Sequence, residues 1–154
     1  MITKCSNNKI DKFDKSYIAM MSLSPNKEIT RLWFEELIGN NNLELVHEIV
    51  HNEYRDGPFH KGITGPEFIK NKFSGFANLI QNTQIEIKSY VEEDDKVVLH
   101  YVFSAEVIDS FMGIKAPGKR FTQEGVTFFT IKDGKIFYTW GTYDRKSIID
   151  DLST

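Results

Sequence analysis

The segment of residues 95–144 constrains the fold more strongly than any other part of the sequence. It contains the dipeptide Asp133-Gly134 between two stretches rich in aromatic and β-branched residues. This dipeptide favours a type I′ turn, because that turn needs positive φ at both central positions and Gly adopts positive φ at little cost. We therefore expect strands over residues 96–107, 121–131 and 136–143, with a loop rich in turn residues between the first two.

Capping residues predict where several helices begin. Ser24-Pro25 is typical of a helix start, because Ser caps the free N–H groups and Pro at the first helical position loses no hydrogen bond. Thr64 and Glu67 have the spacing of a capping box before another apolar run. Asp144 is placed to cap a short C-terminal helix. Between these first two helix starts, the apolar pattern of residues 43–50 predicts a short amphipathic helix.

The order of these elements predicts an α+β domain over residues 24–154, preceded by an arm over residues 1–23. Residues 84–91 alternate polar and apolar side chains, which indicates a half-buried strand with Ile85, Ile87 and Val91 on the buried face. The chain then reads helix, helix, short strand, helix and a meander of four long antiparallel strands. Three helices on one face of a curved antiparallel sheet form a cone whose mouth can hold a small ligand.

The composition excludes several classes of function. The chain has 154 residues and a net charge of −3, so it carries no basic footprint for a nucleic acid. The lone Cys5 excludes an internal disulfide framework and a cysteine zinc site, and it suits a reducing compartment. The apolar run over residues 17–21 is too short to span a membrane. We expect a cytoplasmic protein without a nucleic-acid or membrane partner.

Several motifs follow one another in order between residues 65 and 144. They are Gly65-Pro66-Glu67 at the third helix and the stretches 95–101, 111–120, 125–129 and 133–144. On these motifs the chain resembles the SnoaL-like polyketide cyclase (ester cyclase) family of the nuclear-transport-factor-2-like superfamily. The resemblance spans residues 25–150 and implies the cone-shaped, cystatin-like α+β fold.

The resemblance also implies a cofactor-free cyclase. In the family, an Asp directly after the last-strand Trp acts as general acid/base for an aldol closure, with histidines and other polar groups nearby. The matching positions of this sequence hold Gly141, Thr139, Thr127 and Val107. None of these side chains transfers a proton readily near neutral pH. The sequence therefore predicts the family's fold without its usual catalytic set.

Strand periodicity predicts which side chains line the cone. If Gly141 faces inward, Phe137, Thr139 and Tyr143 share its face, because alternate residues of a strand point the same way. The inner faces of the other strands are then mainly apolar and aromatic, which suits a small hydrophobic, polyketide-like or aromatic molecule. The predicted ligand-binding residues are Tyr54, Tyr101, Phe103, Gln123, Thr127, Phe129, Thr139 and Tyr143.

Asp56 and His60 are the candidate catalytic residues. They are the one close Asp/His couple near the predicted mouth, and such a couple can act as a general acid/base pair. The alternative is that both lie on an exposed loop, since Gly57-Pro58 is typical of a surface turn. His47 and His51 lack a third ligand at a suitable spacing, so we expect no metal site.

Three functions from different classes fit this sequence. The first is a cofactor-free cyclase, isomerase or hydrolase with a displaced acid/base pair, and the second is a non-catalytic pocket for a small hydrophobic metabolite. The third is a dimerisation or partner-binding domain that uses the outer sheet face. The aromatic content of that face predicts a homodimer. Its outward residues are His100, Val102, Phe128, Tyr138 and Trp140.

Overall fold

A curved five-stranded sheet forms the centre of the fold. The computed structural model describes residues 22–57 and 65–154, so Cys5, His60, Thr64 and most of the predicted arm lie outside the described residues. The strands are β1 (Val50–Asp56), β2 (Ile80–Glu93), β3 (Lys96–Val107), β4 (Ser110–Phe111), β5 (Ile114–Lys115), β6 (Arg120–Lys132) and β7 (Lys135–Tyr143). The order in the large sheet is β1-β7-β6-β3-β2, while β4 and β5 form a separate small hairpin.

The predicted antiparallel meander is confirmed for the four long strands, β2, β3, β6 and β7. The turn between β6 and β7 has positive φ at both Asp133 (51°) and Gly134 (70°), as the dipeptide predicts. β1 adds a fifth strand that runs parallel to β7, with Val50 opposite Ile136. Both side chains of that pair are fully buried. This parallel partner was not predicted, because a parallel strand is joined to its neighbour by a long connection rather than by a local turn.

The helices begin largely where their caps predict. They are α1 (Pro25–Leu32), a π-helix (Trp33–Gly39), a 3₁₀ turn (Leu43–Leu45), α2 (Val46–Ile49), α3 (Pro66–Ala77) and α4 (Arg145–Ser153). The Ser24 hydroxyl accepts a hydrogen bond from the Lys27 amide at 3.1 Å, and Asp144 caps α4 in the same way. Among the helices of the described residues, none is long and apolar enough to cross a bilayer.

The predicted start of α3 is wrong by one residue. Gly65 rather than Thr64 occupies the N-cap position, with φ of 83° and no side-chain cap. A Cβ atom at Gly65 would lie 2.7 Å from the carbonyl oxygen of Asn52 in β1. The close approach of the two backbones therefore requires Gly at this helix start.

The core lies between the helices and the inner face of the sheet. Trp33 packs edge-on against Phe129 of β6, with ring centroids 5.9 Å apart. Phe34 and Tyr101 lie 4.3 Å apart, and Phe76 and Phe103 lie 5.8 Å apart. Alternate residues of β3 are buried, as the period of two predicts. These residues are Val97, Leu99, Tyr101, Phe103, Ala105 and Val107.

Two β-bulges make part of the predicted assignment of strand faces wrong. The pairing of β6 with β7 shifts by one residue between Thr130 and Ile131. Ile136 of β7 therefore takes the buried position opposite Ile131. Phe137 therefore does not share the inner face with Thr139. A second shift in β2, before Ser89, leaves Val91 65% exposed instead of buried. A bulge inserts one residue and reverses the alternation beyond it, so strict period-two counting fails there.

Candidate functional site

A cavity of about 550 Å³ lies between the helices and the inner sheet face. It opens to solvent beside Leu79 and Tyr143, which are both exposed. The wall is mainly aromatic and aliphatic, with a few hydroxyls, one amide and two opposite charges. The lining residues are Trp33, Phe34, Ile38, Asp56, Lys72, Phe73, Phe76, Leu79, Tyr101, Phe103, Phe111, Gln123, Thr127, Thr139, Gly141 and Tyr143.

Six of the eight predicted ligand-binding residues line this cavity. They are Tyr101, Phe103, Gln123, Thr127, Thr139 and Tyr143. The other two, Tyr54 and Phe129, are buried outside the wall, where Tyr54 packs beside Trp33 with ring centroids 5.9 Å apart. Contact of any of them with a ligand stays a prediction. Val107 is also fully buried and does not line the cavity, whereas Gly141 does.

The helices contribute residues to the cavity wall that were not predicted from the sequence. In a π-helix the backbone bonds join residues five apart, as in the 3.0 Å bond from the Asn40 amide to the Glu35 carbonyl. This winding brings Trp33 and Ile38, five residues apart, to the same wall of the cavity. The sequence predicts an ordinary helix here, since its apolar residues also fit the α-helical period.

Lys72 is the second missed residue, and the sequence contains a signal for it. Lys72 lies four residues after Phe68 and four before Phe76, so it falls within the apolar stripe of α3. A lysine within an apolar stripe is uncommon and indicates an acidic partner. In the structure its ammonium group donates a hydrogen bond to Asp56 Oδ2 at 2.5 Å.

Asp56 lies in the cavity wall at the end of β1. The Gly57 amide donates to the Thr139 carbonyl at 2.8 Å, which ties this strand end to β7. Thr139 Oγ1 in turn donates to Asp56 Oδ1 at 3.4 Å. The Asp56 side chain is 19% exposed and the Lys72 side chain is 45% exposed. The predicted partner His60 lies outside the described residues, so its distance from Asp56 is untested.

A buried tyrosine hydroxyl contacts the threonine that is hydrogen-bonded to this carboxylate. The Tyr54 hydroxyl lies 2.5 Å from Thr139 Oγ1. Burial, with a further contribution from the negative charge of Asp56, raises the pKa of Tyr54 well above its usual range. Tyr54 therefore keeps its proton at neutral pH. If it donates that proton to Thr139, the threonine hydroxyl is left to donate to Asp56.

Two glycines leave room for side chains on the sheet side of the cavity. A Cβ at Gly125 would lie 2.6 Å from the Tyr101 hydroxyl, so the absence of a side chain lets this ring lie flat on the sheet. The Tyr101 hydroxyl also makes a hydrogen-bonding contact with Thr127, and burial raises the pKa of Tyr101. A Cβ at Gly141 would point at Thr127 Oγ1, 3.0 Å away. Position 141 therefore faces the cavity, and a larger side chain there would enter it.

The charged chemistry of the wall is confined to one pair of residues. Among the described residues that line the cavity, Asp56 and Lys72 alone carry a charge. Across residues 22–57 and 65–154, no three His, Cys, Asp or Glu side chains converge as a metal would require. The arrangement can accept a proton at Asp56 and can place a positive charge beside a ligand oxygen.

The fold and the cavity together define an α+β cone with a pocket between its helices and its sheet. The sequence matches the family of SnoaL-like polyketide cyclases over residues 28–152. The chain therefore belongs to the SnoaL-like polyketide cyclase family. No protein with a curated description matches it at a significant level.

Solved structures agree with this fold. TsrD from Streptomyces laurentii superposes with a TM-score of 0.75 at 22% identity, covering 85% of this chain and 98% of its own. A SnoaL-like polyketide cyclase from Agrobacterium tumefaciens gives a TM-score of 0.70 at 16% identity, covering 84% and 99%. A protein with a ketosteroid isomerase-like fold from Catenulispora acidiphila, solved in complex with trimethylamine, gives a TM-score of 0.64 at 19% identity, covering 82% of this chain and 92% of its own. At these identities the likeness establishes the fold alone.

Proposed function

We propose that this protein binds a small, largely apolar ring compound of aromatic or polyketide type in its central cavity and acts on it by acid/base chemistry at Asp56. The observation that carries the proposal is the position of Asp56. Its carboxylate lies in the wall of an aromatic cavity, paired with Lys72 Nζ at 2.5 Å and held by Thr139 at 3.4 Å.

The size and lining of the cavity support binding of a ring compound. Small-molecule sites are clefts of roughly 300–1,000 Å³ with mainly apolar walls and a few placed polar groups. The volume of about 550 Å³ falls within that range. Phe76 and Phe111 lie 5.9 Å apart across one side of the wall and offer faces for ring stacking.

Asp56 supports a reaction in addition to binding. A carboxylate within reach of a ligand can remove a proton from carbon or oxygen and return it elsewhere, which yields isomerisation or ring closure. General acid/base groups of this kind typically contribute about 10²–10⁴-fold to a rate. No side chain at positions 141, 139 and 127 can transfer a proton in this way. We therefore assign proton transfer to Asp56.

The test compares Asp56→Asn with Glu53→Gln on the same strand. Glu53 pairs with Lys132 at 3.2 Å on the surface and does not line the cavity. We expect both variants to bind an aromatic ketone or polyketide ester equally well by calorimetry, while only Asp56→Asn loses turnover, by about 10²-fold or more. Binding without any turnover in the wild type would instead establish a non-catalytic pocket. His60→Gln, assayed beside them, tests the predicted partner of Asp56.

We also propose that the outer sheet face forms a homodimer. Phe128 and Trp140 are 45% and 43% exposed, and their ring centroids lie 5.5 Å apart on neighbouring strands. Exposed aromatic area of this kind is typical of an association surface. Trp140→Glu should shift the protein towards monomer in sedimentation velocity at micromolar concentration, whereas Trp140→Phe should not. A monomeric wild type would contradict the proposal.

A further inference from the structure

A second cavity, of about 220 Å³, adjoins the central one. Ile38, Phe73 and Phe76 line both cavities and so lie between them. The wall of the second cavity also includes the end of the π-helix with the turn after it, residues 37–41, and the start of β2, residues 80–83. The volume is that of roughly seven water molecules, which suits a small ligand.

Two helices end at this cavity. The π-helix continues directly from α1 and ends at Gly39, while α3 ends at Ala77. Both of these residues line the cavity. The last carbonyl groups of a helix have no partner inside the helix, and they carry a partial negative charge. Two helix ends of this kind at one cavity favour a positively charged ligand.

Two side-chain amides of the wall offer hydrogen-bond acceptors. Gln81 Nε2 donates to Glu106 Oε1 at 2.8 Å, and Asn82 Nδ2 donates to Glu106 Oε2 at 3.1 Å. Because their nitrogens bind this carboxylate, both amides keep their oxygens as acceptors for a ligand. Arg120 contacts the Asn82 carbonyl oxygen at 2.9 Å from outside the wall. Within the described part of the chain, no charged side chain lines the second cavity itself.

The aromatic residues of the wall favour a cation as well. The face of a phenylalanine ring attracts an ammonium group that lies within about 6 Å of its centre. Lys72 already lies at such a distance from Phe73, with Nζ 5.8 Å from the ring centre. Phe76 packs against Phe103, with ring centroids 5.8 Å apart, and borders the second cavity. We therefore assign the ligand to the Phe76 ring.

We infer that the second cavity binds a small primary ammonium ion with an apolar body. The ammonium group donates hydrogen bonds to the amide oxygens of Gln81 and Asn82, and the two helix ends favour its charge. The apolar body packs against Phe76. This site is separate from the central cavity and does not depend on the proposed chemistry at Asp56.

Two probes of equal size test the inference. Cyclohexylammonium chloride and cyclohexanol share one carbon ring, but only the first carries a positive charge. Each is titrated at neutral pH into the isotope-labelled full chain, and NMR follows the backbone amide signals. We expect saturable shifts at residues 37–41 and 80–83, with cyclohexylammonium bound about 2- to 30-fold more tightly, the range of cation–π contacts from exposed to desolvated sites. Higher ionic strength should weaken the binding of the ammonium ion alone.

Charge variants at the rim of the cavity sharpen this test. Asn41→Asp adds a negative charge, and Asp also adopts the positive φ of 53° found at this position. Asn40→Lys adds a positive charge beside it. The first variant should tighten and the second weaken cyclohexylammonium binding by about two- to five-fold, the range of exposed ion pairs. Asn71→Lys, at an exposed position of α3 outside both cavity walls, is the matched control and should leave the affinity unchanged.

The outcomes separate this inference from the proposed function. Equal affinity for the two probes, or no saturable shift with either, overturns the inference. So does an affinity that responds to Asn41→Asp and Asn40→Lys no more than to Asn71→Lys. If the shifts instead surround Asp56 and disappear in Asp56→Asn, the ammonium ion binds in the central cavity and the inference is wrong. None of these results bears on turnover of a ring compound, which tests the proposed function by itself.

Discussion

The hydroxyl group of Tyr54 lies 2.5 Å from Thr139 Oγ1, and both side chains are buried, Thr139 in the cavity wall and Tyr54 outside it. Tyr54→Phe removes this bond without leaving a large hole. A buried hydrogen bond typically contributes about 1 kcal/mol to stability, so we expect a loss of that size in urea denaturation. Tyr143→Phe, on an exposed tyrosine, is the control and should have little effect. An unchanged midpoint for Tyr54→Phe would show that the bond contributes nothing.

The raised pKa values of three tyrosines predict how the stability of the fold depends on alkaline pH. Burial raises the pKa of Tyr54, of Tyr101, and of Tyr90, the last to about 12 with a further contribution from Glu35. The unfolded chain loses these protons first, at a pKa of about 10, so above that pH the folded state binds more protons than the unfolded state. Stability should therefore be intact below pH of about 10 and fall as the pH rises towards 12.

Absorbance at 295 nm checks this alkaline transition. The folded protein should show tyrosinate from Tyr54, Tyr90 and Tyr101 only above the range in which model tyrosines ionise. Tyr101→Phe should remove one late-ionising group and reduce the loss of stability above pH of about 10. Full ionisation of all six tyrosines in a single step near pH 10, with the fold intact, would contradict the assignment.

Gly141→Asp would place a carboxyl group inside the cavity. Its Cβ would lie 3.0 Å from Thr127 Oγ1, so that side chain must shift by a few tenths of an ångström. Apolar surroundings raise the pKa of a carboxyl group towards a range useful for acid/base work. We expect aldol-type closure of a polyketide ester to be about 10²–10⁴-fold faster in the double variant Asp56→Asn/Gly141→Asp than in Asp56→Asn alone. Gly141→Asn in the same Asp56→Asn background is the matched control, and equal rates for the two double variants would contradict this prediction.

Gly125→Ala and Gly75→Ala should have opposite effects on stability. A Cβ at Gly125 would lie 2.6 Å from the Tyr101 hydroxyl and would force the ring off the sheet, at a cost of about 1–3 kcal/mol. Gly75 lies within α3 with nothing within 4 Å of its Cβ position, so Ala there should stabilise the helix by about 1 kcal/mol. Thermal or urea unfolding checks whether Gly125→Ala is less stable, and Gly75→Ala more stable, than the wild type.

Features that depend on neighbouring residues could be predicted from the sequence. The turn at Asp133-Gly134, the cap at Ser24 and the cap at Asp144 are all found where they were predicted. The bounds of β3 agree as well, because its alternation is unbroken from Lys96 to Val107. In each case the controlling interaction joins residues within a few positions of one another, so the local pattern contains the necessary information.

Features that depend on distant residues were decided only by the tertiary structure. The bulge at Phe137 arises from the register between β6 and β7, and the pairing of β1 with β7 joins segments about 85 residues apart. The contact of Asp56 with Lys72 likewise requires α3 to lie beside the end of β1. The sequence by itself determined the strands, the turns and an aromatic inner face. Packing of the helices on the sheet decided which polar side chains meet in the cavity, since that depends on long-range register rather than on local propensity.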